Sequence, residues 1–221
     1  MKKFDAVILD LDGTLLDTLE ELKDAMNKVL HEAGLKTLTR AEARPMVGDG
    51  SREFMRMALP ESMRTDKIID DMVQRYRNNR GWHRVGGLAK PYEGIEGLLK
   101  KLESAKIKIA VLSNKTDDAA KRTIAEFFPG TPFDAVYGQR EGVPAKPHPA
   151  GILNILAELG VTADRTLMVG DGDADCMSAI AAGVVYAAAL WGYRTREELE
   201  SVGAYAFYDS VQELEEYIFG K

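Results

Sequence analysis

Four consecutive apolar residues, Ala6-Val-Ile-Leu9, run directly into Asp10-Leu-Asp12-Gly-Thr14. An apolar run with no polar alternation reads as a strand buried on both faces, and such strands belong to parallel sheets covered by helices. Further strand-like runs, predominantly apolar, occur at Ile107–Leu112, Ala135–Tyr137, Thr166–Val169 and Val184–Ala187. Helical patterns separate them at 95–105, 117–128, 150–159 and 175–182, and two more, at 195–202 and 211–219, close the chain. Strands alternating with helices of this length predict βαβ units, hence an α/β fold with a parallel sheet flanked by helices.

Residues 15–88 break the rhythm, with helical spacing and no convincing strand. Leu15, Leu19, Leu22, Met26, Val29 and Leu30 recur on one helical face, as do Ile68, Ile69, Met72, Val73 and Tyr76. The expectation is a small all-α domain over 15–88, inserted after the first strand of a core made of 1–14 and 89–221. The insert holds 13 basic and 12 acidic residues, leaving the acidic surplus on the core. Hinges are expected at Leu15–Asp17 and Val85–Pro91. Arg75, Arg77, Arg80 and Arg84, with Trp82 and His83, read as a solvated helix face running into a loop, and Met55, Met57, Met63 and Met72 as core filler.

The formal net charge of −6 argues against broad nucleic-acid binding, which needs a basic surface. The single cysteine, Cys176, and the lack of a signal-peptide pattern suit a reducing cytoplasm. The uncharged stretch Cys176–Tyr193, 18 residues long, is broken by Gly183 and Gly192, and reads as the end of a helix followed by a buried strand, not a membrane span. A monomer or homodimer is expected.

Chemistry concentrates where the strands end. Asp10 and Asp12 follow the first strand, at the end where open parallel sheets bind ligands. Two adjacent carboxylates raise one another's pKa unless they share a cation, which points to a hard divalent metal, Mg2+. One acid of such a pair can attack while the other moves protons. Thr166-Leu-Met-Val-Gly-Asp171-Gly-Asp173-Ala-Asp175 repeats the theme: Asp171 is placed to complete a carboxylate metal site, Asp175 to cap the next helix, and Asp173 to face solvent. Ser113 and Asn114 offer donors for phosphate oxygens, and Lys146, in the proline-stiffened Val143-Pro-Ala-Lys-Pro-His-Pro149, offers an ammonium.

Taken in order, Asp-x-Asp-Gly-Thr, Ser-Asn-Lys, Lys-Pro and Gly-Asp-x-x-x-Asp resemble the four motifs of the haloacid dehalogenase-like superfamily, over the whole chain. The resemblance implies a Rossmann-like core and an aspartyl-phosphate mechanism, with Asp10 as nucleophile and Asp12 as general acid/base. It also implies that Ser113 and Lys146 hold the phosphoryl group, and that Asp10, the Asp12 backbone carbonyl and Asp171 hold Mg2+, supported by Asp175. The inserted helices look like a C1-type cap that closes over a small phosphomonoester. Met46-Val-Gly48-Asp49-Gly-Ser51 resembles the cap loop of phosphoglycolate phosphatases, making Gly48, Asp49 and Arg52 candidate specificity residues. Pro91-Tyr-Glu-Gly94-Ile resembles the point where that subfamily's chain rejoins the core. A phosphomutase of the β-phosphoglucomutase type and a phospho-acceptor signalling module are the alternative readings; a receiver module needs no inserted domain.

Overall fold

The alternation of apolar runs and helical patterns folds as six parallel strands in the computed structural model, which describes residues 2–79 and 87–220. The strands are β1 (Ala6–Leu9), β2 (Lys108–Thr116), β3 (Ala135–Gln139), β4 (Thr166–Gly170), β5 (Val185–Ala189) and β6 (Phe207–Tyr208). Their spatial order is β3-β2-β1-β4-β5-β6, the Rossmann order, with β1 between β2 and β4. The last strand spans only Phe207–Tyr208, too short for its pattern to stand out in the sequence.

Ten α-helices are described. Those in the insert are α1 (Leu19–Glu32), α2 (Arg40–Ala43), α3 (Gly50–Ala58) and α4 (Asp66–Asn79). Those around the sheet are α5 (Ile95–Ser104), α6 (Asp117–Phe127), α7 (Ala150–Leu159), α8 (Asp173–Ala182), α9 (Arg196–Ser201) and α10 (Val211–Phe219). The unbroken apolar character of β1 now has its cause, because successive side chains of a strand point to opposite faces and both faces are covered. Val7 and Leu9 pack with Leu98 and Leu102 of α5, Ile124 of α6 and Leu214 of α10. Ala6 and Ile8 pack on the other face with Ile152 and Ile155 of α7, Ala179 of α8 and Leu199 of α9. The uncharged stretch from Cys176 is the end of α8, closed by Gly183 in the left-handed region (φ 71°), and then β5. Among the described residues no helix is long and apolar enough to cross a membrane.

The chain divides into two compact units, Met1–Asp17 with Pro91–Lys221, and Thr18–Lys90. Leu15, which shares the helical spacing of α1, instead packs in the hydrophobic layer of the sheet with Leu11 and Leu16. Within the second unit, α1 buries Leu19, Leu22, Met26, Val29 and Leu30, as their spacing requires. Met55 of α3 and Ile69, Met72, Val73 and Tyr76 of α4 are buried too, and the Phe54 and Tyr76 rings meet edge-on at 6.2 Å. On α4, Arg75 is exposed and paired with Asp71 at 2.9 Å, and Arg77 donates to Ser51 Oγ at 3.3 Å. Arg80, Trp82, His83, Arg84 and the Val85–Gly86 part of the expected hinge lie outside the described residues.

Candidate active site

In a sheet of this order the crevice for a ligand opens at the C-terminal ends of the two strands where the order reverses, here β1 and β4. Asp10 follows β1 and Asp171 follows β4. The two strand ends are tied together, since the Asp10 N–H donates to the Val169 carbonyl at 2.9 Å. Asp175 joins them from the first turn of α8. Asp10, Asp171 and Asp175 are all buried, and each offers a carboxylate oxygen within 4.8 Å of the others.

Each carboxylate is held by neighbours. Asp171 accepts the Thr14 hydroxyl at 2.9 Å on Oδ1 and the Tyr193 N–H at 2.8 Å on Oδ2. Gly13 and Gly192 let the backbone approach it: a Cβ on either would lie 2.2 Å from Asp171 atoms. Gly13 also turns through φ 86°, and its N–H is committed to the Leu16 carbonyl at 2.8 Å, so it is not a free donor for a ligand. Asp175 is not the N-cap of α8; that position is Gly172. One helical turn in, Asp175 reaches back with Oδ2 to accept the Gly172 N–H at 3.0 Å, while Oδ1 accepts from Lys146 Nζ at 2.6 Å. The Asp173 side chain is 42% exposed, as expected, and Arg194 Nε donates to it at 2.8 Å.

Lys146 Nζ also donates to Asp10 Oδ1 and to the Leu112 carbonyl, both at 2.8 Å. Asn114 Nδ2 donates to the Lys146 carbonyl at 3.1 Å, so its amide positions the lysine loop. Ser113 is buried beside it, and its Oγ accepts the Lys115 N–H at 3.2 Å, which leaves the hydroxyl hydrogen to donate elsewhere. Asp12 is less buried than Asp10, and its Oδ2 lies 2.9 Å from Lys115 Nζ. Gly48, Asp49 and Arg52 belong to the inserted unit. Gly48 has φ 128°, Asp49 is the N-cap residue of α3, and Arg52 donates to Asp66 and Asp70 on α4.

Sequence reasoning missed Thr14, Lys115, Arg194 and the Tyr193 N–H. Thr14 and Lys115 lie inside motifs that were recognised, so their place beside Asp10 and Ser113 was a usable signal. The Tyr193 N–H carries no side-chain signal at all.

The charge arrangement is unbalanced in favour of a cation. Burial pushes the Asp10 carboxyl well above the usual carboxylate range, Asp175 and Asp171 add to the push, and Lys146 only partly opposes it. Burial, then the Asp175 charge, raises Asp171 to about 7, against the pull of the Tyr193 N–H, Thr14 and Arg194. Burial works against the Lys146 charge, but Asp10 and Asp175 outweigh it and hold the ammonium above its ordinary range. Three buried acids facing one ammonium, with hard oxygen donors within reach of each other, fit a divalent cation.

A pH effect follows. An acid whose pKa is higher folded than unfolded binds more protons in the native state, so its contribution falls as pH rises. For Asp171 that loss runs from about 4 to about 7. Without divalent metal, the wild-type melting temperature should therefore exceed its pH 8 value when measured near pH 5. Asp171→Asn should raise the pH 8 value and flatten that slope. A metal-free variant melting below wild type at pH 8 would show that the Asp171 charge is not a liability.

The strand order and the strand-end acids define a Rossmann-like α/β protein with a candidate cation site, and comparison with known proteins supplies the class. A family model described as haloacid dehalogenase-like hydrolase matches residues 7–189, and the chain belongs to that family. Within it the chain is phosphoglycolate phosphatase-like. It is 35% identical over 222 residues to the phosphoglycolate phosphatase of Rhodospirillum rubrum, covering 96% of this chain and 90% of that one. It is 31% identical over 195 residues to that of Xanthomonas campestris pv. campestris, covering 87% and 86%. A solved structure from Lactobacillus delbrueckii subsp. bulgaricus, provisionally described as a phosphoglycolate phosphatase, superposes with a TM-score of 0.89 at 27% identity, covering 100% of both chains.

Proposed function

We propose that this protein is a cytoplasmic, Mg2+-dependent phosphatase that hydrolyses a small phosphomonoester of the phosphoglycolate kind through an aspartyl-phosphate intermediate. The observation that carries the reading is Asp10: it stands at the crevice end of the central strand, hydrogen-bonded to a buried lysine and beside two further buried acids. Asp10 attacks phosphorus, and the bond to the leaving oxygen breaks. Asp12 supplies the proton that this oxygen takes up, and the alcohol departs. Asp12, now a carboxylate, takes a proton from water as that water attacks the phosphoaspartate, which releases phosphate and restores Asp10. Lys146 and the Ser113 hydroxyl hold phosphoryl oxygens and offset their charge, the main source of catalysis where there is little covalent chemistry for the protein to do. Asp10, the Asp12 carbonyl and Asp171 would hold Mg2+, with Asp175 supporting them. Bound there, the cation neutralises carboxylate and phosphoryl charge.

The test is phosphate release from a panel of phosphomonoesters, with Mg2+ and with chelator. Turnover of small phosphomonoesters that stops on chelation and returns with Mg2+ supports the reading. No release from any member contradicts it.

The core groups recognise phosphoryl and cation, nothing of the leaving group. Discrimination is therefore assigned to the inserted helices, through the loop holding Gly48, Asp49 and Arg52. Substituting Asp49 or Arg52 should change relative kcat/KM among alkyl phosphomonoesters by about tenfold, the scale of one or two side-chain contacts, and change hydrolysis of a small aryl phosphate much less. Equal losses on every substrate would place this loop in the chemical step or the fold.

A further inference from the structure

We propose that Lys115 is a positioning residue for Asp12, fixing the carboxylate in the orientation from which it delivers its proton to the leaving oxygen; this rests on the role given to Asp12 above. The pairing of β2 with β3 is regular up to Leu112, which faces Tyr137, and resumes with Thr116 facing Gln139. Four positions along β2 thus span two along β3, and Ser113, Asn114 and Lys115 occupy the irregularity. Bulges of this kind re-aim side chains beside active sites. Here the Lys115 ammonium, with its side chain only 3% exposed, is aimed at Asp12 Oδ2, 2.9 Å away.

A buried ion pair is a poor source of stability, because desolvation offsets most of the attraction. Its effect is on geometry: the bond from Oδ2 to a buried ammonium favours one orientation of the Asp12 carboxylate. The two lysines divide the work: Lys146 serves Asp10 and Asp175, and Lys115 serves Asp12. As the phosphorus–oxygen bond breaks, the proton passes from Asp12 to the departing oxygen. Asp12 is left as a carboxylate, and the Lys115 ammonium stays protonated throughout and offsets that charge.

Leaving-group dependence tests this. para-Nitrophenoxide departs without protonation, whereas an alkoxide needs the proton. The kcat/KM values for para-nitrophenyl phosphate and for the best alkyl phosphomonoester of the panel report steps up to departure of that group. Asp12→Asn sets the reference, and its loss should fall mainly on the alkyl substrate. Lys115→Met should reproduce this selectivity, losing at least about tenfold more on the alkyl substrate, a fraction of the roughly 10²–10⁴-fold that proton transfer supplies. Lys115→Arg should recover part of it. Equal losses on both substrates in Lys115→Met, with Asp12→Asn selective, overturn the proposal and leave the Asp12 role standing. Equal losses in Asp12→Asn overturn the Asp12 role and the proposal with it. Should Lys115→Met not fold by circular dichroism, Lys115→Ala, which likewise removes the donor, carries the same comparison.

Discussion

Asp10→Asn should abolish phosphate release, by at least about 10⁴-fold, the scale on which loss of a covalent nucleophile is felt. The substitution keeps the shape of the side chain, and the amide oxygen can still accept from Lys146 Nζ. It removes the atom that attacks phosphorus, along with a buried charge pressed by Asp175 and Asp171. The fold should therefore persist, and thermal stability without metal should hold or rise. Phosphatase activity within about tenfold of wild type would remove Asp10 from the nucleophile's role, since even a general acid–base contribution is worth roughly 10²–10⁴-fold.

Asp12→Asn should slow turnover of alkyl phosphomonoesters by roughly 10²–10⁴-fold, the usual worth of a positioned proton donor. Metal affinity should survive, because the group assigned to the cation at this position is the backbone carbonyl. The Lys115 ammonium loses its charged partner but keeps an oxygen acceptor. The second half of the reaction suffers as well, since no carboxylate is left to activate water against the phosphoaspartate. With a good leaving group the intermediate should still form, and then persist. Unchanged turnover at saturating Mg2+ with collapsed metal affinity would make Asp12 a metal ligand and nothing more. Titrating activity against Mg2+ separates the two outcomes.

The sheet was readable because its strands are buried on both faces, and the run at Ala6–Leu9 therefore contains no polar residue and that at Thr166–Val169 only its leading threonine. The sixth strand, Phe207–Tyr208, leaves too few residues for any pattern. Leu15 shows the limit of periodicity: it is in phase with α1, yet tertiary packing places it in the sheet's layer. At the site, the acids were legible because carboxylates at strand ends are costly without a purpose. Their partners were less so. Asn114 has an amide suited to phosphate, and only the fold shows that it also donates to the Lys146 carbonyl. The same holds for Asp175, whose bond to Lys146 joins positions 29 residues apart. The bulge that aims Lys115 depends on the register of β2 against β3, and a single strand's sequence does not contain it.

The central claim is that Asp10 carries the phosphoryl group. It is tested most directly in Asp12→Asn, mixed with radiolabelled para-nitrophenyl phosphate and Mg2+, quenched in acid and digested. The account predicts label on the peptide containing Asp10, labile to hydroxylamine as an acyl phosphate is, and absent when Asp10→Asn is added. Label on another residue, or substrate consumed with no protein-bound label at any time in the reaction, would contradict it.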